Sequence, residues 1–456
     1  MKRRKETIDT SQRSPVEWML RPFQEFTRLE ASAGILLFLC TVVALVWANS
    51  PWSDGYFNLW RTKLQVGIGS FLLDKPLILW INDGLMAMFF FVVGLEIKRE
   101  ILVGELSSPK QAALPIAAAI GGMVTPAFIY LVFNGGKEGV SGWGIPMATD
   151  IAFALGALAI LGRRVPVSLK IFLTSVAIVD DIGAVLVIAF FYTSQIYWSN
   201  LIVGAVFLGA LLAANRAGVR HPLVYAILGI GGLWLAFLLS GVHATIAGVL
   251  SAFTIPASTG ISREDFLTKS RYLLEEFDEA SANDEGVLTS KQQHRAAEAL
   301  EKTSGLIQTP LQRLEHDLHP WVIFGVMPMF ALANAGVNLG GNLTALFTNP
   351  VALGILFGLV LGKQIGVTLF SWFAVRIGIA TLPKGVSWMK IYGVGWLAGI
   401  GFTMSLFITG LAFEDAEILS VAKLGILTAS LIAGVGGWMI LRKTGKENNA
   451  PDLVEN

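Results

Sequence analysis

The sequence predicts an all-α polytopic membrane protein with about twelve transmembrane helices. Three observations predict it. Hydrophobic residues make up 54% of the 456 residues and charged residues only 15%, where soluble domains carry about 25% charged residues. The apolar residues fall in long blocks. The positive residues gather in alternate loops between those blocks. A mean hydropathy of +0.62 points the same way. The formal net charge of +1 gives no basic surface, so nucleic acid is not an expected partner. One cysteine, Cys40, excludes an intrachain disulfide framework and a thiolate metal centre. No cofactor is expected.

A bilayer-spanning helix needs about 20 apolar residues. The candidate spans are 30–48, 77–98, 112–134, 144–162, 168–193, 199–215, 222–239, 241–256, 320–338, 350–375, 386–411 and 416–441. The 48 glycines suit close helix packing in lipid. Residues 1–29 are polar and predict a cytoplasmic N-terminal segment, not a cleavable signal. With that end inside, 28 of the 34 Lys and Arg fall in inside segments, and only Arg61, Lys63, Lys75 and Lys137 fall outside. Both termini are therefore expected in the cytoplasm, in a bacterial inner membrane. The expected organisation is 1–29, then spans 1–8 over 30–256, a charged cytoplasmic insertion at 257–319, spans 9–12 over 320–441, and a cytoplasmic tail at 442–456.

Residues 49–76 form an outside loop whose alternating apolar residues, with Gly67 and Gly69, predict a small β-hairpin. The segment 257–319 carries twelve acids and seven bases. Helices are expected at Arg263–Phe277 and Lys291–Leu306, with a turn at Ser281–Gly286. The plain reading is a solvated helical insertion; a regulatory or partner-binding role is the alternative.

An ionisable residue inside a span costs roughly 2.5–3.5 kcal/mol on insertion scales, so each one is a candidate for function. Asp180 and Asp181 sit mid-way along the fifth span. Neighbouring helix positions differ by about 100°, so the two carboxylates must meet different surroundings. Their oxygens suit small hard cations and protons. Asp150 follows Thr149 in the fourth span, just after Gly144 and Pro146, which predict an interrupted helix. A carboxylate there is either a compensator of half-helix dipoles or an ion ligand. Lys363, in the middle of the tenth span, needs a carboxylate or a carbonyl cluster. Gly395, Gly399 and Gly401 mark the eleventh span as the second interrupted helix.

Asp83 and Glu96 lie near opposite ends of the second span and fit its two vestibules. Asp83 is equally well an interfacial cap, and Glu96 has Lys98 and Arg99 nearby on its own helix. His243 opens the eighth span, and Glu315, His316 and His319 precede the ninth. That mix titrates near neutral pH when modestly shifted.

The segments FFFVVGLEIKREI, ATDIAFALG, AIVDDIGA, SGVHATIAGV, RLEHDLHPW, MPMFALANAGV and LGKQIGV resemble the NhaA family of bacterial sodium/proton antiporters, in order from about residue 20 to 440. The exception is about 257–310, where the chain has a longer insertion than the family's usual loop. The resemblance implies inverted-topology repeats, a known property of this family, with two interrupted helices that cross. It implies that Asp181 is the principal cation carboxylate and that Asp180 pairs with Lys363 in one state and exchanges protons. Asp150 and Thr149 would sit at the crossing, with Asp150 and Lys363 balancing opposed dipoles. Glu96, Arg99, Glu315, His316 and His319 would form a pH-responsive cluster, with His243 linked to it. The 49–76 hairpin would support a homodimer. Gln364 stands where the family often has proline. The expected function is electrogenic, pH-regulated export of Na+ or Li+ in exchange for H+. A sodium-coupled organic-anion symporter, an intramembrane aspartyl protease and a transport-inactive scaffold are the alternatives.

Overall fold

The computed structural model describes residues 30–69, 71–193, 195–281, 291–339 and 344–444. The first helices are α1 (Glu30–Ala48) and α2 (Ser53–Arg61), followed by strands β1 (Lys63–Ile68) and β2 (Phe71–Pro76). Next come α3 (Leu77–Val103), α4 (Pro109–Asn134) and, after a 3-10 segment at Glu138–Met147, α5 (Ile151–Ile160). Then follow α6 (Val167–Phe191), α7 (Trp198–Arg216), α8 (Pro222–Ser240), α9 (Ala244–Thr254), α10 (Arg263–Ser281) and α11 (Lys291–Ile307). The last are α12 (310–334), α13 (Pro350–Arg376), α14 (Trp388–Ala398), α15 (Phe402–Ala412) and α16 (Ala416–Thr444).

Seven of the described helices are long and apolar enough to cross a bilayer: α3, α4, α6, α7, α8, α13 and α16. Two further pairs meet at a sharp bend over a short break, the 3-10 segment with α5 (44°) and α14 with α15 (45°). A helix lies within each of the twelve predicted apolar blocks. Several boundaries differ from expectation. The 49–76 loop begins with helix α2, bent 111° from α1, and only 63–76 forms the hairpin, with Lys63 paired to Pro76 and Ile68 to Phe71. Alternation of apolar residues was the wrong period for Ser53–Arg61, where Tyr56 and Trp60 lie four apart on one buried face. The eighth block holds a helix of only 11 residues, because Gly241 turns left-handed (φ +81°) and His243 is still non-helical (ψ 125°) before it starts. The ninth block begins ten residues early. Thr309 caps α12 through Gln312 in a reciprocal capping box, so the polar run RLEHDLH is helical too. In the insertion, α10 runs four residues past the predicted Phe277. The predicted turn beyond Ser281, residues 1–29 and the end of the tail from 445 lie outside the described residues.

The chain divides into two compact units, and α6 passes from one to the other between Asp180 and Asp181. The first unit holds residues up to Tyr56, 114–180 and 334 onward. In it α14 packs on α16, α1 on α5, and the two ends of α13 on α16 and α14. Helix α4 meets α13 where Gly121 faces Gly366. A Cβ at Gly366 would lie 2.0 Å from the Gly121 carbonyl oxygen, so no larger residue fits. This contact sets the rotation of α13 and hence the direction of Lys363.

The second unit holds 57–113 and 181–333. Its central pair is α3 with α9. Gly248 of α9 brings the backbones together, since a Cβ there would lie 2.3 Å from the Ala87 carbonyl oxygen. Helices α10 and α11 pair as a helical hairpin, and α12 packs on α3.

Candidate functional site

In the first unit, the two breaks, 148–150 and 399–401, lie against each other. The Asp150 amide donates to the Ile400 carbonyl (2.6 Å), and the Thr149 hydroxyl donates to the Ala398 carbonyl at the end of α14 (2.8 Å). Asp150 is wholly buried and caps α5, its Oδ1 accepting from the Phe153 amide (3.0 Å). Its Oδ2 accepts from both the amide (3.1 Å) and the hydroxyl (2.5 Å) of Thr403, in the first turn of α15. One carboxylate therefore serves the starts of two helices. Both starts expose unpaired N–H groups and a partial positive charge, which is what a buried carboxylate needs. Ser405 adds a bond from its hydroxyl to the Ile145 carbonyl (2.8 Å).

Lys363 follows a π turn at Gly358–Gly362 of α13. Its ammonium contacts Asp180 Oδ2 at 2.7 Å, with both side chains at most 2% exposed. A buried pair repays its desolvation only when geometry is good and the remaining polar atoms find partners. Asp180 Oδ1 takes no hydrogen bond among the described residues, and Thr149 stands beside the same carboxylate. The next residue in the chain, Asp181, is also buried (1%). The structure thus brings together Asp150, Thr149, Asp180 and Lys363.

In the second unit, a different set of charges joins α3 to the start of α12. Glu96 meets His319 Nδ1 at 3.2 Å, and Arg99 is bonded to both Glu315 and Glu100, the latter at 3.0 Å. Local pairing of Glu96 with Lys98 or Arg99 is not what forms. Lys98 instead donates to the Phe253 (2.7 Å) and Ile255 (2.5 Å) carbonyls, the unsatisfied end of α9. The His319 imidazolium donates to the Glu96 carboxylate, which raises its pKa above the usual 6.5 against the opposing effect of burial. Burial raises the Glu315 carboxyl above 4.5, although Arg99 beside it pulls the other way.

The remaining predicted residues lie elsewhere. His316 is exposed and is not among the cluster's ion-pair partners, because it is one residue round the helix from Glu315. His243 sits at the opposite end of α9, with Nε2 2.6 Å from the Tyr192 carbonyl. Asp83 pairs with Lys75 at 3.1 Å, and its carbonyl accepts from Trp234 (3.0 Å). The sequence reading missed Thr403, Ser405 and Glu100. Thr403 had a signal, a polar residue just after the Gly399–Gly401 break.

Many long apolar helices, sharply bent helix pairs and a buried Lys–Asp pair mark a multi-pass membrane protein of the kind that carries ions. Residues 24–441 match the family model described as Na+/H+ antiporter 1. The chain is 57% identical over 428 residues to a Na(+)/H(+) antiporter NhaA of Oleidesulfovibrio alaskensis, covering 94% of this chain and 95% of that one. It is 50% identical over 427 residues to the NhaA of Koribacter versatilis, covering 94% and 92%. The NhaA 2 of Syntrophotalea carbinolica is also 50% identical, over 429 residues, covering 94% and 98%. The chain belongs to the NhaA family of Na+/H+ antiporters, which are secondary transporters.

Proposed function

We infer that this chain exports Na+, or Li+, in exchange for H+ across the bacterial inner membrane, electrogenically and under control of pH. The carrying observation is the buried Lys363–Asp180 pair, one residue from a second buried carboxylate, Asp181. Two carboxylates and a lysine give a site whose charge changes as protons enter and leave. Na+ binds when Asp181 and its partner are deprotonated, and protons displace it when the site faces the more acidic side. More than one proton per monovalent cation makes the exchange electrogenic and responsive to the membrane potential.

Asp150 and Thr149 serve the breaks in two crossing, interrupted spans of an inverted-repeat architecture, and Asp150 compensates helix ends. Its bonds to Phe153 and Thr403 favour that role over direct ion contact. Twelve crossings place both termini in the cytoplasm. Glu96, Arg99, Glu315 and His319 form the pH-responsive cluster there, with His316 and His243 as outlying contributors and Asp83 at the outer vestibule. The hairpin supports a homodimer in the lipid bilayer.

The test is dissipation of a pH gradient in everted vesicles from a host without its own antiporters. NaCl and LiCl should dissipate the gradient, more strongly as pH rises from about 6.5 to 8.5, around the histidine range. Asp181→Asn should abolish the response at every pH. Full activity in that variant overturns the reading.

A further inference from the structure

Past Lys363, α13 carries a polar line on a face that is buried. Gln364, Thr368 and Ser371 stand at spacings of four and three, within an arc of about 60° and a length of about 10 Å. Gln364 is 2% exposed and Ser371 wholly buried. The face turns toward α14, where a Cβ on Gly395 would lie 2.9 Å from the Gln364 Cα. The neighbouring face, with Val367 against Gly122 of α4, is the one that carries Lys363, whose Nζ would lie 3.7 Å from a Cβ on Gly122.

The polar atoms on this line lack partners. Gln364 Oε1, Thr368 Oγ1 and Ser371 Oγ are buried without a hydrogen bond among the described residues. Gln364 uses its Nε2 on the Val360 carbonyl, which leaves Oε1 over. The two hydroxyls are unlike others in this fold. Thr41, Thr303 and Thr409 each donate to the carbonyl four residues earlier in their own helix. Thr368 and Ser371 do not. One unsatisfied buried polar group costs about 1–3 kcal/mol, and three in a row along one seam are relieved by ordered water, which takes two to four such partners.

We propose that a file of water occupies the α13–α14 seam from the Arg376 end of α13 up to Gln364, and that it conducts protons to and from the Lys363–Asp180 pair. Gln364 follows Lys363 in the chain, about 100° round the helix, so the file turns at its upper end to reach the ammonium. When the pair opens, an N–H bond of the ammonium breaks as an O–H bond forms on the nearest water, and the excess proton passes from water to water past Ser371. Uptake by the Asp180 carboxylate is the same transfer reversed. Gln364, Thr368 and Ser371 are positioning residues that hold the file, and none changes its own bonding. The conduction step rests on the proton-exchanging role given above to Lys363 and Asp180; the hydration of the seam does not.

Two measurements test this in the full-length chain in membranes. On a Cys40→Ser background, cysteine is placed singly at Gln364, Thr368 and Ser371, and at the buried apolar positions Ile355 and Ala374 as dry controls. Each is exposed to a small water-soluble methanethiosulfonate ammonium reagent from both faces, and the mass shift is followed in time. Thiols react as thiolates, which water stabilises, so the three seam positions should label roughly tenfold faster than the controls. Equal rates overturn the file, whatever the transport activity. The second variant, Thr368→Val with Ser371→Ala, conserves volume. It should slow maximal exchange several-fold at saturating Na+ while leaving the Na+ concentration for half-maximal exchange unchanged. Undiminished exchange overturns the conduction step. A parent chain that transports nothing would instead refute the antiporter reading, with the labelling result still standing.

Discussion

The two units hold their charges in opposite ways. In the first, Asp180 and Lys363 are at most 2% exposed, and Asp150 has its carboxylate matched to the starts of two helices. In the second, Glu96 is 18% and His319 49% exposed, and the partners are side chains across two helices. A fully buried charge cannot borrow stabilisation from water, so the fold must supply all of it and the geometry is strict. A half-buried charge keeps part of its hydration, so its pairing is weaker and follows pH. The first arrangement suits a group whose charge must be exchanged for a specific ion; the second suits a group that responds to bulk pH.

The largest expected effect comes from Lys363→Ala. It strands the buried Asp180 carboxylate, a loss of about 3–5 kcal/mol for a broken buried pair. The expected outcome is a sharply lower melting temperature in detergent at pH 8, recovered in part by adding Asp180→Asn. No recovery in the double variant would mean that the pair is not what the lysine stabilises. Next comes Thr403→Val, which takes the hydroxyl from Asp150 but leaves the backbone amide bonds. The expected loss is about 1–3 kcal/mol. A change within experimental error would mean that helix ends alone hold Asp150, and the contrast between the units would sharpen.

What could be read in advance follows the same division. Asp150, Asp180 and Lys363 stood out because a charge in an apolar run is conspicuous and costly. The break at 148–150 was visible through Pro146. Thr403 was not legible as a partner of Asp150: threonine costs little in a membrane helix, and its role exists only because two distant breaks meet. In the second unit the residues were grouped by the family resemblance and not by spacing. Local spacing showed Glu96 only its own helix, whereas its partner His319 depends on α12 starting at Pro310, eleven residues before the apolar stretch at Trp321. The helix at Ser53–Arg61 was hidden for a related reason, since Phe57 and Leu59 were read as alternation over a window too short to separate the two periods, and Tyr56 and Trp60 were passed over.

The smallest effect in stability, and the one most diagnostic of the second unit, is on its pH dependence. His319 has its pKa raised in the folded protein, chiefly by its hydrogen bond with Glu96. A group raised in this way contributes stability that is complete below its unfolded pKa, near 6.5, and is lost as pH rises through the folded value. The carboxyl of Glu315 is raised too, from a usual 4.5 by burial, so its contribution also declines as pH rises. The join between α3 and the start of α12 should therefore loosen as pH climbs above about 6.5. Hydrogen exchange at residues 310–321 should quicken over pH 6.5 to 8.5 beyond the intrinsic base-catalysed rate, by a few-fold at most for so exposed a pair. Glu96→Gln removes the partner that raises His319, so its titration moves down toward or below 6.5 and the extra quickening should vanish from that window. The same variant should leave exchange around Asp150 and Lys363 unchanged. If Glu96→Gln kept the parent's pH profile at 310–321, the cluster would be a structural strut and the pH response would have to lie in other residues.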